Sequence, residues 1–140
     1  MICQLSHIGI AVADLDASIA LYERIFRPSA IHRETVPEQK VEIASFSVGS
    51  VRIELVAATS PDSPIARFIA KRGEGIHHVA FESDDIAADL DRLDNAGIQL
   101  IDRVPTNGAH DMLIAFIHPK ATGGVLMELC QTRTTGSGRT

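Results

Sequence analysis

Shifted by 71 residues, this 140-residue chain lies on itself. LSHIGIAVADLDASIALYERIF falls on IHHVAFESDDIAADLDRLDNAG, so that His7 meets His78, Asp14 meets Asp85, Leu15 meets Ile86, Ile19 meets Leu90 and Tyr22 meets Leu93. A duplication outranks any local signal, because missing it would distort every later reading of an element.

Each copy opens with an alternating run. Ile8, Ile10 and Val12 point one way, while His7, Gly9 and Ala11 point the other. That period of two predicts a strand. An aspartate follows, Asp14 or Asp85, and then apolar residues recur at spacings of four and three, Leu15, Ile19, Tyr22 in one copy and Ile86, Leu90, Leu93 in the other. This is a helical stripe behind an N-capping acid. Three further strands are predicted after the first helix, over 30–35, 41–48 and 51–56, the last two joined by a tight turn at Gly49-Ser50. Their counterparts lie over 99–104, 112–118 and 125–130. The predicted fold is therefore α+β, two tandem β-α-β-β-β modules over about 4–57 and 74–131. The connector, 58–73, carries a short amphipathic helix from Pro64 to Lys71, with Ser63 as its cap and Pro64 in its first position. Residues 132–140 offer nothing apolar to bury and are expected to be a loose tail.

The apolar fraction of 45% suffices for an ordinary core. A formal charge of −5 argues against a nucleic-acid or anionic-membrane partner, since both reward a positive field. No apolar run approaches the roughly 20 residues of a membrane span, and MICQLSHIGIAV lacks the form of a leader, so a soluble, cytoplasmic protein is expected. Cys3 and Cys130 lack the spacing of a zinc knuckle or a disulfide framework and are read as reduced.

Each module supplies a histidine on its first strand and a glutamate on its last. His7 and Glu54 are 47 residues apart, His78 and Glu128 are 50 apart, and VRIELV and VLMELC frame the glutamates alike. A lone strand histidine or glutamate is ordinarily structural or solvated, whereas four at repeat-equivalent places point to one metal ion. Two imidazoles and two carboxylates suit a divalent Zn, Co, Ni or Mn, with positions left open for water or substrate. The histidine face is stripped of bulk at Gly9, Ala11 and Ala80, which predicts a cavity there, while Ile8, Ile10, Val79 and Phe81 face the helices. His77 takes the place of Ser6 and is expected to face away; His32 and His110 are expected at the solvent, and His118 to orient the turn that follows it.

With that duplication and ligand set, the chain resembles the vicinal oxygen chelate superfamily of glyoxalases, bleomycin-resistance proteins and dioxygenases, whose paired modules form a half-barrel around a metal. Within it the resemblance is greatest to methylmalonyl-CoA epimerases, from Leu5 to Cys130, and is carried by DSPIARFIAKRGEGIHHVAFE, by GAH at 108–110 and by HPKATGGVLMELC. The resemblance implies exchange of the hydrogen between a thioester carbonyl and a carboxylate, through an enolate stabilised on a dication. It gives Glu128 two parts, metal ligand and acid/base group. The second acid/base group of some members is a glutamate where this chain has Ile43, with Glu42 one place earlier; a bulge or deletion would bring Glu42 in. Lys120 is the implied contact to an anionic part of the acyl-CoA substrate. Arg67, Lys71 and Arg72 are placed to meet its phosphates, Arg52 to assist Glu54, and Cys130 to fill core. A homodimer is the expected assembly, with the modules pairing either within one chain or across two.

Rival activities share the scaffold. A lactoylglutathione lyase would use a similar metal site, an extradiol dioxygenase would leave Glu54 unexplained, and a metal-free binding module of the drug-sequestering kind would have no use for both glutamates.

Overall fold

The computed structural model describes residues 1–133. Its strands form a single mixed sheet of eight, in the order β2-β3-β4-β1-β5-β8-β7-β6. The first module contributes β1 (Ile2–Ala11), α1 (Leu15–Phe26), β2 (His32–Val36), β3 (Val41–Val48) and β4 (Val51–Ala58). Then come α2 (Pro64–Arg72) of the connector and β5 (Gly75–Ser83), α3 (Ile86–Asn95), β6 (Thr106–Asn107), β7 (Met112–Ile117) and β8 (Met127–Thr132). In each module the first strand runs parallel to the last, β1 to β4 and β5 to β8, and the modules meet where β1 pairs antiparallel with β5. That pairing joins the two modules into one curled sheet.

The helices start where the aspartates place them. Asp14 Oδ1 accepts the Ala17 N–H at 3.0 Å and Asp85 Oδ1 that of Ala88 at 3.1 Å. Ser63 Oγ does the same for Ile65 at 3.2 Å, opening α2. α1 and α3 cover the convex face. Leu15, Ile19 and Tyr22 pack there with Ala44 and Leu55, and Ile86, Leu90 and Leu93 with Ala115 and Leu129. α2 instead covers part of the concave face through Ile65, over Val41, Ile43 and Val56. No helix among the described residues is long and apolar enough to cross a membrane.

Three expectations need correction. The second strand begins at His32 rather than at 30. The strand expected over 99–104 does not form: only a lone bridge joins Leu100 to Ile117, and a two-residue strand pairs with β7 later, at Thr106–Asn107. Phe116 explains this, since its carbonyl takes both the Ile101 and Asp102 N–H groups while its own N–H goes to the Asp102 carboxylate at 2.8 Å. A side chain has replaced the ladder. At the C-terminal end, β8 continues through Gln131 and Thr132, and the Gln131 amide binds the Ile86 N–H and the Asp84 carbonyl at 2.8 and 3.0 Å. The rest of the expected tail, beyond residue 133, lies outside the described residues.

Candidate metal centre

The register of β1 against β5 carries two bulges that bear directly on the histidines. Leu5 faces Phe81 and His7 faces Ala80, leaving Ser6 without a partner; Gly9 faces His78 and Ile10 faces Ile76, leaving His77 without one. Ser6 and His77 are repeat equivalents. A bulge re-aims side chains, and here each extra residue meets the ring that follows it. Ser6 Oγ lies 3.0 Å from His7 Nδ1, and His77 Nδ1 lies 2.9 Å from His78 Nδ1. With each Nδ1 held, the two Nε2 atoms face one another at 3.2 Å. His77 thus does not turn away as its place in the repeat predicted. It lines the cavity and packs edge-on against Phe68.

Each histidine also lies over the small residue opposite it. A Cβ on Gly9 would come within 2.1 Å of His78 Cε1, so the space at Gly9 belongs to the imidazole itself. His7 faces Ala80, the repeat equivalent of Gly9.

The expected ligands gather about His7. His7, Glu54, His78 and Glu128 are 4%, 2%, 7% and 4% exposed. From His7 Nε2 it is 3.2 Å to Glu54 Oε2 and 2.9 Å to Glu128 Oε2, and His78 Nε2 lies 4.0 Å from Glu128 Oε2. Despite that proximity Glu128 Oε2 is buried without a hydrogen-bond partner. A buried carboxylate oxygen left so is costly unless something else satisfies it. Ligand atoms about 2.0–2.2 Å from one ion lie roughly 3–3.5 Å apart, the spacing found around His7 Nε2. Ligand atoms of His7, Glu54 and His78 all lie within 4.8 Å of one another, as do those of His7, Glu128 and Cys130, so the donors meet through His7; their chemistry and the orphaned oxygen fit a divalent cation.

The environments of the two carboxylates differ. Burial pushes the Glu54 carboxyl up, against the pull of His7. Burial raises Glu128 too, but the nearby imidazoles and Arg52 outweigh it and hold that carboxyl below the usual range. Burial also drives His78 down to about 4, so its ring is a neutral donor at physiological pH. Arg52, on a strand interior to the sheet rather than at its edge, touches Glu54 Oε1 at 3.4 Å.

The cavity in front of the centre measures about 490 Å³, within the range of small-molecule sites. Ile43, Val56, Ile114, Phe116 and Leu126 wall it, and Lys40, Asp62 and Arg67 are also on its lining. A second groove along α2, lined by Arg67, Phe68, Lys71 and Arg72, shares Pro64, Arg67 and His77 with it. Lys120 is not on the cavity wall; it sits in the turn Pro119–Ala121, where its N–H binds His118 Nδ1 at 3.0 Å. Glu42 does not enter either. β3 pairs without a bulge on both sides, so Ile43 faces the cavity and Glu42 binds Arg33 at 2.7 Å outside it. Cys130, expected to fill core, is buried beside His7 and Glu128; its Sγ donates to the Phe81 carbonyl and burial pushes the thiol up to about 12.

One residue expected at the solvent is drawn inward. His110, 21% exposed by side chain, reaches from the second module to the first. Its N–H binds Glu34 at 2.7 Å and its Nε2 lies 3.0 Å from Ser45 Oγ and 3.6 Å from Glu54 Oε1. The GAH segment was visible, but the left-handed backbone at His110 and Asp111 that turns it inward, φ 58° and 55°, carries no glycine to announce it.

Residues 6–116 match the family model of the glyoxalase/bleomycin resistance protein/dioxygenase superfamily. The uncharacterised protein YqjC of Bacillus subtilis (strain 168) is 44% identical over 93% of both chains. The ethylmalonyl-CoA/methylmalonyl-CoA epimerase of Cereibacter sphaeroides is 37% identical over 94% of this chain and 99% of its own. A solved methylmalonyl-CoA epimerase, in complex with methylmalonyl-CoA and NH4+, superposes with a TM-score of 0.91 at 33% identity, covering 96% and 97% of the two chains. The sheet built from two modules, the convergent donors and these relatives agree: the chain belongs to the glyoxalase/bleomycin resistance protein/dioxygenase superfamily, in the company of its methylmalonyl-CoA epimerases.

Proposed function

We propose that this chain is a metal-dependent epimerase of methylmalonyl-CoA, with Glu128 as an acid/base group at the centre. The observation that carries the reading is Glu128 Oε2, buried, without a hydrogen-bond partner, and on the wall of a cavity large enough for the acyl end of the substrate. A carboxylate so placed can take the proton from the carbon between thioester and carboxylate. A divalent ion held by His7, Glu54, His78 and Glu128 would supply the Lewis acid that stabilises the enolate charge.

The remaining residues bind and shield. Ile43, Val56, Ile114, Phe116 and Leu126 exclude water from the reacting carbon and suit a short alkyl branch. The cationic groove of Arg67, Lys71 and Arg72 adjoins the cavity, where the diphosphate of coenzyme A would lie. Lys120, off the wall, would meet an anionic part of the substrate that extends beyond the cavity. The homodimer and the cytoplasmic location expected from the sequence belong to the same reading, and sedimentation velocity tests the first.

The test is deuterium exchange into methylmalonyl-CoA by metal-loaded protein. The parent chain should wash label in and invert the centre, and Glu128→Ala should do neither while retaining metal less well. Label washed in by that variant at the parent rate would remove Glu128 from the chemistry. One observation favours a lyase-type isomerase as the second reading: Ile43, and no carboxylate, lines the cavity at the place where the resemblance puts a second acid/base group. Exchange without inversion from a single enantiomer would support it.

A further inference from the structure

Resting on the metal centre just described, we propose that Arg52 sets its net charge, neutralising Glu54 so that a bound dication retains positive charge toward an anionic substrate. Two carboxylates cancel a dication. An acyl group carrying its own carboxylate, and becoming more negative as its proton leaves, would then meet a neutral centre. One fixed guanidinium beside the ligands restores a surplus of one.

The geometry singles out this residue. Arg52 Nη2 lies 3.4 Å from Glu54 Oε1, 3.3 Å from His7 Nδ1 and 3.8 Å from Met112 Sδ, so one end of the guanidinium faces the ligands from a residue that is not itself on the cavity wall. Its Nε is buried with no partner. An orphaned buried N–H is destabilising, and the contact of Nη2 with Glu54 offsets it. The duplication supplies an internal control: the residue two places before Glu128 is Leu126, so the second module has no arginine at the equivalent place. Arg52 is in this sense a positioning residue that acts through the ligands.

Metal and anion affinities separate charge-setting from mere support. Protein stripped with a chelator is reloaded with Co2+, its affinity read by competition with a chelating dye, and malonate is then titrated while the Co2+ absorption is followed. Arg52→Leu, which copies Leu126, should hold Co2+ as tightly as the parent or up to about tenfold more tightly, because a repelling charge has gone. Its malonate affinity should fall by at least about tenfold, and Arg52→Lys should restore it to within about threefold. Arg52→Leu that stays folded by circular dichroism but loses Co2+ tenfold would make Arg52 a strut, and unchanged malonate affinity would equally overturn the proposal. A parent chain that takes up no Co2+ would end the centre and this inference together. A parent that binds Co2+ and malonate yet leaves methylmalonyl-CoA unchanged would end only the functional reading.

Discussion

At the scale of single residues, the smallest is the most demanding. Gly9 has ordinary extended backbone, so alanine there meets no backbone strain, but its Cβ would overlap the His78 ring, 2.1 Å from Cε1. The ring can swing aside more cheaply than the strand can move. Gly9→Ala should therefore lower metal affinity about 10- to 100-fold, as loss of a ligand's support does, while the melting temperature moves by no more than about 3 °C. Co2+ competition and calorimetry on the same sample check both halves, and undiminished affinity would mean that His78 is not a ligand. The two thiols give a second test. Cys3 is exposed and Cys130 buried with its thiol pushed up to about 12, so an aromatic disulfide reagent at pH 8 should find one reactive thiol in the native chain and two after unfolding. The four metal donors were legible because the duplication repeats them. Ser6, Gly9 and His110 were not, because their parts depend on a bulge, a ring overhead and a left-handed turn, none of which leaves a mark in alternation.

At the scale of elements, repetition also predicts energetics. Asp14 and Asp85 cap α1 and α3 with the same bond, so alanine at either should cost about 1 kcal/mol, or about 3 °C, in thermal unfolding. α3 has an additional support in Gln131, whose amide takes the Ile86 N–H, and Gln131→Ala should cost about 1 kcal/mol more. A pair of cap variants differing by more than that would show that the modules are not equivalent at their helix starts. The helices and most strands were readable from period and cap, since those signals are local. The strand over 99–104 was misread for the opposite reason. Its apolar residues suit an extended segment, but Ile98 and Leu100 pack under α3 while Ile101 and Val104 are 51% and 73% exposed, and the Asp102 carboxylate takes a ladder bond that the sequence could not assign.

For the whole molecule, the four donors sit on β1, β4, β5 and β8, so an ion held by all of them ties the two modules together at their seam. Ligand that binds only the folded chain stabilises it by mass action, about 2.7 kcal/mol at a hundredfold excess over Kd, which for this size is a rise of about 5–10 °C. Removing the ion with a chelator should reverse the rise in a single transition, because the modules share one sheet. The dependence on pH has a definite sign. His78 and His110 are pushed down to about 4 by burial, whereas in the unfolded chain both titrate near 6.5. Between those values the unfolded chain binds protons that the folded one does not, so what these two imidazoles contribute to the stability of stripped protein is full above about 6.5 and is lost as pH falls toward 4. Metal binding needs the same imidazoles neutral and the carboxylates ionised, so acid also releases the ion. The gap in melting temperature between loaded and stripped protein should therefore narrow from pH 7.5 to pH 5. A gap that widened over that range would mean that the ion is held by groups other than these.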